Sequence, residues 1–318
     1  MKNFSIAIHG GAGTILKNSI TQEQEAAYLN ALKIALQSGY SLLEKGSRAL
    51  DAITAAVVSL ENCILFNAGR GSVFTKTGTH EMDAAIMNGA TMQAGAVAGV
   101  CNVKNPVELA LKIMNESEHV LLSGDGALHF AKEKGLKIEE DAYFFSQFRY
   151  DQWQQVKNEN EIALDHNVQI TTDAKAMADR KKFGTVGAVA CDMFGNIAAA
   201  TSTGGMTNKN YNRIGDTPII GAGTYANNTT CAISCTGHGE LFIKAVAAYD
   251  VSCLMEYKGF TLKQAMETVT LDKLVKLNGE GGMIGVDANA NVEMVFNSEG
   301  MYRGMQSSNG QKDISIYK

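Results

Sequence analysis

Gly184-Thr-Val-Gly-Ala-Val-Ala-Cys191, Asp192-Met-Phe-Gly-Asn196 and Ile197-Ala-Ala-Ala-Thr-Ser-Thr203 follow one another without interruption. Two runs of small side chains around a glycine-containing turn predict a β-hairpin. Side chains this small let another backbone or a ligand come close, so the hairpin either packs beneath a second layer or lines a site. The preceding segment, residues 150–183, is polar and charged, with Lys157-Asn-Glu-Asn-Glu161 and Asp179-Arg-Lys-Lys182, and reads as a surface linker. Downstream, residues 204–216 read as a polar loop. Residues 219–223 and 230–235 read as strands, residues 240–255 as one long helix, and Met283-Ile-Gly-Val-Asp287 with Val292-Glu-Met-Val-Phe296 as a closing hairpin.

Working toward the N-terminus, Phe4, Ile6 and Ile8 alternate as in a half-buried strand that runs into a turn at Gly10-Gly-Ala-Gly13. Thr21 with Gln24, and Thr261 with Gln264, have capping-box spacing and predict helix starts. A further helix begins after Ser47 and buries Leu50, Ile53, Val57 and Leu60. Residues 60–75 predict a loop entering a strand, residues 92–103 a strand, and Asn105-Pro106 opens a helix through Met114. Sequential hairpins and runs of helices favour an α+β layering over an alternating parallel sheet.

Composition narrows the functional classes. The 318 residues leave room for about two ordinary domains. With 28 Lys+Arg against 33 Asp+Glu the net charge is −5, which argues against a nucleic-acid binder. Thirty-two glycines against two prolines exclude collagen-like and proline-rich linker architectures. The six cysteines form no CxxC pair and predict reduced core thiols. The N-terminal apolar stretch is too short for a signal peptide, and residues 82–101 carry Asp83, Asn88 and Gln93, so a cytoplasmic protein without a membrane partner is expected.

Several familiar motifs fail on inspection. His9-Gly-Gly-Ala12 has no Gly-x-Ser-x-Gly downstream, and Gly10–Gly13 lacks the dinucleotide spacing. His80-Glu81 is followed by Ala84 where a zinc helix needs its second histidine, and there is no phosphate-binding Walker loop. His9 and His80 read as satisfied structural histidines, and His238 as a solvated loop residue.

Gly184-Thr-Val-Gly187, Thr201-Ser-Thr-Gly-Gly205, Arg213-Ile-Gly-Asp216 and Cys235-Thr-Gly-His-Gly-Glu240, together with His9-Gly-Gly-Ala-Gly13 and Phe66-Asn-Ala-Gly69, resemble the plant-type L-asparaginase and isoaspartyl aminopeptidase family of N-terminal nucleophile hydrolases. The likeness runs from residue 4 to Gly304. It implies a four-layer αββα sandwich and a single domain that cuts itself between Gly184 and Thr185 into an α chain, 1–184, and a β chain, 185–318. It also implies an amidohydrolase acting on L-asparagine and β-aspartyl dipeptides through an acyl-enzyme on Thr185. Elementary chemistry suits this role. A threonine hydroxyl needs an adjacent base, and an α-amine on the same residue, titrating near ~7.7–8.0, supplies one without a histidine.

The same resemblance implies roles for other residues. Thr203 would hydrogen-bond near the nucleophile, Arg213 would take the substrate carboxylate and Asp216 its ammonium. Thr236 and Gly237 would polarise the scissile carbonyl, with Gly239 and Asn67 also at the substrate. The backbone carbonyls of Leu60, Glu61, Cys63, Phe66, Ala68 and Arg70 match a loop that holds a structural sodium ion, and no cofactor is implied for catalysis. A homodimer of αβ units is implied as well. Phe183 before the scissile bond and Tyr211-Asn212 before Arg213 depart from the family's usual pattern and bear on processing and on the substrate loop. The alternatives are a glycosylasparaginase, disfavoured by Gly184 before the nucleophile and the absent leader, or an uncleaved small-molecule binder.

Overall fold

The computed structural model describes residues 2–13, 15, 17, 20–165 and 184–318. Its centre is an eight-stranded sheet of order β12-β11-β1-β5-β6-β2-β3-β4. The strands are β1 (Ser5–Gly13), β2 (Met82–Asn88), β3 (Ala94–Val100), β4 (Leu121–Ser123), β5 (Val186–Cys191), β6 (Ile197–Thr203), β11 (Gly300–Ser307) and β12 (Lys312–Tyr317). All neighbours are antiparallel except β3 and β4. The second sheet, β10-β9-β8-β7, is built from β7 (Thr224–Ala226), β8 (Cys231–Gly237), β9 (Gly281–Asp287) and β10 (Val292–Phe296).

The strand alternation of side chains sorts the core into two halves. Ile6, Ile8, Val186, Ala188, Ala190, Ala198 and Ala200 face α1 (Gln22–Glu44), α2 (Ala49–Glu61) and α3 (Pro106–Glu116). Their opposite neighbours Ala7, Val189, Cys191 and Ala199 face the second sheet. Beyond that sheet, α7 (Gly239–Ala245), α8 (Ala247–Lys258), α9 (Leu262–Glu267) and a π-helical turn (Thr268–Lys273) running into α10 (Leu274–Lys276) complete the expected αββα layering. Three helices, α4 (Gly124–Glu133), α5 (Asp141–Phe144) and α6 (Gln147–Asp165), lie on the chain between β4 and β5. Small residues let the sheets approach closely. A Cβ on Gly187 would overlap Ser234 Oγ and lie 2.5 Å from His9 Nε2.

The hairpin of residues 184–203 forms as read, with Val186 opposite Ser202 and Cys191 opposite Ile197. Both capping boxes are present, on α1 and α9. All six cysteines are unpaired, and burial pushes the Cys191 and Cys231 thiols up to about 12.

Other expectations need correction. The Gly10–Gly13 turn is instead the end of β1, bulged between His9 and Gly11 against β11, with the Phe66 ring packed where a Gly10 side chain would stand. No strand closes residues 60–75. Gly69–Gly71 form a 3₁₀ turn, the Val73 N–H donates to Asn67 Oδ1 rather than to a strand, and Thr75 makes one isolated bridge to Lys209. Residues 219–223 form a turn rather than a strand, and the Gly221 and Ala222 carbonyls accept the first N–H groups of α8. The long helix of 240–255 is broken at Val246, which adopts left-handed dihedrals (φ 48°, ψ 47°). Leu50 is only half-buried. The segment read as a linker begins as α6, whose Trp153 is buried and stacks on Phe74 with ring centroids 5.4 Å apart. The remainder of that segment, residues 166–183, lies outside the described residues.

Candidate active site

Thr185 stands one residue before β5 and is buried. Its carbonyl oxygen meets His9 Nδ1 at 3.1 Å, and His9 Nε2 meets Ser234 Oγ at 2.9 Å. Burial pushes the His9 pKa down to about 3, so the ring is neutral. A carbonyl only accepts, which assigns the proton to Nδ1 and makes Nε2 the acceptor of the Ser234 hydroxyl. His9 therefore ties β1 and β8 to the backbone of Thr185, and at neutral pH its single proton is held in the bond to the Thr185 carbonyl.

A chain of hydroxyls joins Thr185 to the carbonyl that precedes it. The Thr185 hydroxyl donates to Thr203 Oγ1 at 3.3 Å, and the Thr203 hydroxyl donates to the Gly184 carbonyl oxygen at 2.7 Å. Thr203 lies at the end of β6, paired with Asp83 across β2, and is oriented by the Gly205 N–H at 3.0 Å. Asn67 Nδ2 donates to the same Gly184 oxygen at 3.0 Å and to Gly205 O at 2.7 Å. Two donors thus converge on the carbonyl oxygen that precedes Thr185. The arrangement suits attack of Thr185 Oγ1 on Gly184, with the proton passed along Thr203 toward the developing oxyanion.

Thr185, Thr203, Arg213, Asp216, Gly237 and Gly239 border one open cleft, together with Gly184. The Arg213 guanidinium is held edge-on by Glu240, Nε to Oε1 at 2.8 Å and Nη2 to Oε2 at 2.7 Å. That pairing holds the Glu240 carboxyl down at about 2. Asp216 is buried, and its Oδ2 has no hydrogen-bond partner among the described residues. Burial pushes its pKa up to about 7 despite Arg213 nearby. A buried, unpaired carboxylate beside an arginine is the environment that an incoming ammonium and carboxylate would complete. A Cβ on Gly239 would lie 2.9 Å from Asp216 Oδ1 and 3.0 Å from Arg213 Nη2, so that glycine gives both side chains their room.

Thr236 is fully buried behind the cleft wall, where its hydroxyl oxygen accepts the Ala12 N–H at 3.2 Å; its proton remains to be donated. The loop from Leu60 to Arg70 carries Asn67, and several of its carbonyls accept local N–H groups, Leu60 O from Cys63, Phe66 O from Ala68 and Ala68 O from Gly71. A Cβ on Gly69 would stand 2.5 Å from Glu61 O, and one on Gly71 would overlap Phe66 O. His80 is satisfied by Ser72 O at 3.0 Å, and His238 stands 3.2 Å from Glu240, so it is not simply a solvated loop residue. Among the described residues no group of three or more histidine, cysteine, aspartate or glutamate side chains is placed to hold a metal.

Two site residues escaped sequence reasoning. Glu240 is quoted within Cys235-Thr-Gly-His-Gly-Glu240, yet nothing in its spacing marks it as the partner of Arg213, 27 positions earlier. The positioning role of His9 is equally silent, because its partners Thr185 and Ser234 are 176 and 225 residues away.

A family model described as Asparaginase matches residues 2–316. The chain is 49% identical over 318 residues to an isoaspartyl peptidase of Salmonella typhimurium, covering 100% of both. It is 47% identical over 313 residues to the Escherichia coli isoaspartyl peptidase, covering 98% of this chain and 96% of the relative. It is 41% identical over 316 residues to a plant-type L-asparaginase of Pyrococcus abyssi, covering 98% and 99%.

Proposed function

The chain belongs to the asparaginase family, and from that premise we propose that it hydrolyses the side-chain amide of L-asparagine and of β-aspartyl dipeptides with Thr185 as nucleophile. The observation that carries this reading is the hydroxyl chain from Thr185 through Thr203 to the Gly184 carbonyl. Thr185 Oγ1 attacks the Gly184 carbon while its proton leaves through the Thr203 hydroxyl, and Thr203 and Asn67 hold the oxyanion. The Gly184–Thr185 C–N bond breaks as that proton is delivered to the departing nitrogen, leaving an ester on Thr185 and its amine free. Water hydrolyses the ester, giving a Gly184 carboxylate and a free α-amine on Thr185. That amine then serves as base for the same hydroxyl.

In the mature site the substrate's α-carboxylate pairs with Arg213 and its ammonium with Asp216, which leaves the side-chain carbonyl over Thr185 Oγ1. The Thr185 amine accepts the hydroxyl proton and returns it to the departing nitrogen. The Thr236 hydroxyl and the Gly237 backbone stabilise the oxyanion, and Gly239 and Asn67 border the bound amino acid. Water then releases aspartate from the acyl-enzyme. Ammonia or amine release from asparagine and β-aspartyl dipeptides by purified protein tests the activity, and its retention in Thr185→Ala would overturn the assignment of the nucleophile.

We further assign the carbonyls of Leu60, Glu61, Cys63, Phe66, Ala68 and Arg70 to a sodium ion that stiffens the loop carrying Asn67. Two of these carbonyls, Glu61 O and Phe66 O, close on Gly69 and Gly71, which supports this, since hard cations take such oxygens. A higher melting temperature in sodium than in choline chloride is the expected result. The family likeness also supports a homodimer of αβ units, which light scattering tests. Among the described residues no helix is long and apolar enough to cross a membrane.

A further inference from the structure

Gly184 borders two cavities. One is the cleft of Thr185, Arg213 and Asp216; the other lies against β1 and shares only Gly184 and Asn67 with the chemistry described above. One wall of this second cavity is aromatic. Tyr28 stacks on Tyr302 with centroids 4.4 Å apart, and Phe66 meets both edge-on at 5.7 and 6.0 Å. The wall also carries a cation, Arg149 of α6, which is only 7% exposed. Its Nε donates to Gly71 O at 3.1 Å, Nη1 to Gln152 Oε1 at 3.1 Å and Nη2 to Leu65 O at 3.4 Å. Among the described residues no carboxylate pairs with it, and two of its five N–H groups have no partner there. Its guanidinium also lies over the Phe148 ring, 5.5 Å from the centroid, and a buried guanidinium with no carboxylate among the described residues is stabilised by an anion that reaches it.

The chemistry dictates what would reach it. Gly184 lines both cavities, so the scissile residue stands between them. The Thr185 α-amine arises at the former amide nitrogen, on the Gly184 side of the nucleophile. Because that amine must return a proton to the departing nitrogen, the leaving group lies beside it. With the aspartyl part on Arg213 and Asp216, the rest of a dipeptide extends along the path Gly184 now occupies. Resting on the function proposed above, we infer that the second cavity is the subsite for the leaving residue of β-aspartyl dipeptides. Arg149 takes its free α-carboxylate, and the Tyr28, Phe66 and Tyr302 wall takes an apolar side chain.

The test uses the mature two-chain enzyme with three substrates: asparagine, β-aspartyl-leucine and β-aspartyl-leucine amide, in which the carboxylate is replaced by a neutral carboxamide. The wild type is expected to favour the free acid over the amide by about tenfold or more in kcat/KM, as for a charge-assisted pair. In Arg149→Gln that preference collapses, and turnover of the acid falls relative to turnover of asparagine. Equal treatment of acid and amide by the wild type overturns the subsite, and does so even if the variant fails to fold. A loss in Arg149→Gln that is equal for all three substrates overturns it as well, because it marks a purely structural arginine. Failure of the wild type to hydrolyse asparagine would instead refute the underlying function, so the two failures are distinguishable.

Discussion

Replacing Thr203 by valine keeps the shape of the side chain and removes one hydroxyl. In the structure that hydroxyl is the shorter of two donors on the Gly184 oxygen, at 2.7 Å against 3.0 Å from Asn67, and it is the acceptor for the nucleophile's proton. Loss of one oxyanion donor of this kind slows an acyl transfer by about 10²–10³-fold, or about 3–4 kcal/mol of barrier. The folded state also suffers, because the Gly205 N–H loses its partner in a buried setting, a cost of about 1–3 kcal/mol. Set against a typical stability of about 5–15 kcal/mol, the variant still folds. The assay follows conversion of freshly purified precursor into its two chains by intact-mass spectrometry, with Thr203→Ser as the control that restores a hydroxyl. Cleavage of Thr203→Val at the wild-type rate would refute the relay, and failure of Thr203→Ser to recover would refute the role of the hydroxyl itself.

Other consequences follow from the same geometry. Glu240→Gln replaces a carboxylate that grips Arg213 at two points; loosening it should raise KM for asparagine by about tenfold with little change in kcat, read from saturation kinetics. Asp216 must be ionised to hold an ammonium and its pKa is raised to about 7, so kcat/KM should climb with pH through that value. Asp216→Asn should remove that limb of the profile along with most of the binding. For stability, His9 is held near 3 when folded against an ordinary value of 6.5. Its contribution is present above 6.5 and is lost as pH falls toward 3, because the unfolded chain takes up the proton first. Denaturation midpoints measured across that window should fall less steeply in His9→Gln. Gly187→Ala should destabilise by about 1–3 kcal/mol through overpacking between the sheets, measured by urea denaturation.

Local chemistry was legible in the sequence where a residue's partners are close in the chain. The capping pairs Thr21/Gln24 and Thr261/Gln264 and the small-residue hairpin all form as read. Strand β11 was not legible, since Gly-Met-Tyr-Arg-Gly-Met-Gln-Ser has no β-branched residue and gains its place only by pairing with β1, some 300 positions earlier. Strand β12 carries the alternation of Ile314 and Ile316 and was readable but missed. Val246 carries no sign of a helix break, because the break is imposed by the Gly221 and Ala222 carbonyls that receive α8. The site divides in the same way. Motif residues announce Thr185, Arg213 and Asp216, whereas Glu240 and Arg149 matter through what they face.

Thr185 as a self-exposed nucleophile is tested by the N-terminal sequence and mass of the fragments formed by purified protein on incubation, taken alongside amidase activity. Self-cleavage before Thr185 gives two fragments, residues 1–184 and 185–318, the second beginning Thr-Val-Gly-Ala, with activity appearing in step with cleavage and both abolished in Thr185→Ala. An intact chain that hydrolyses asparagine without ever exposing Thr185 would contradict it.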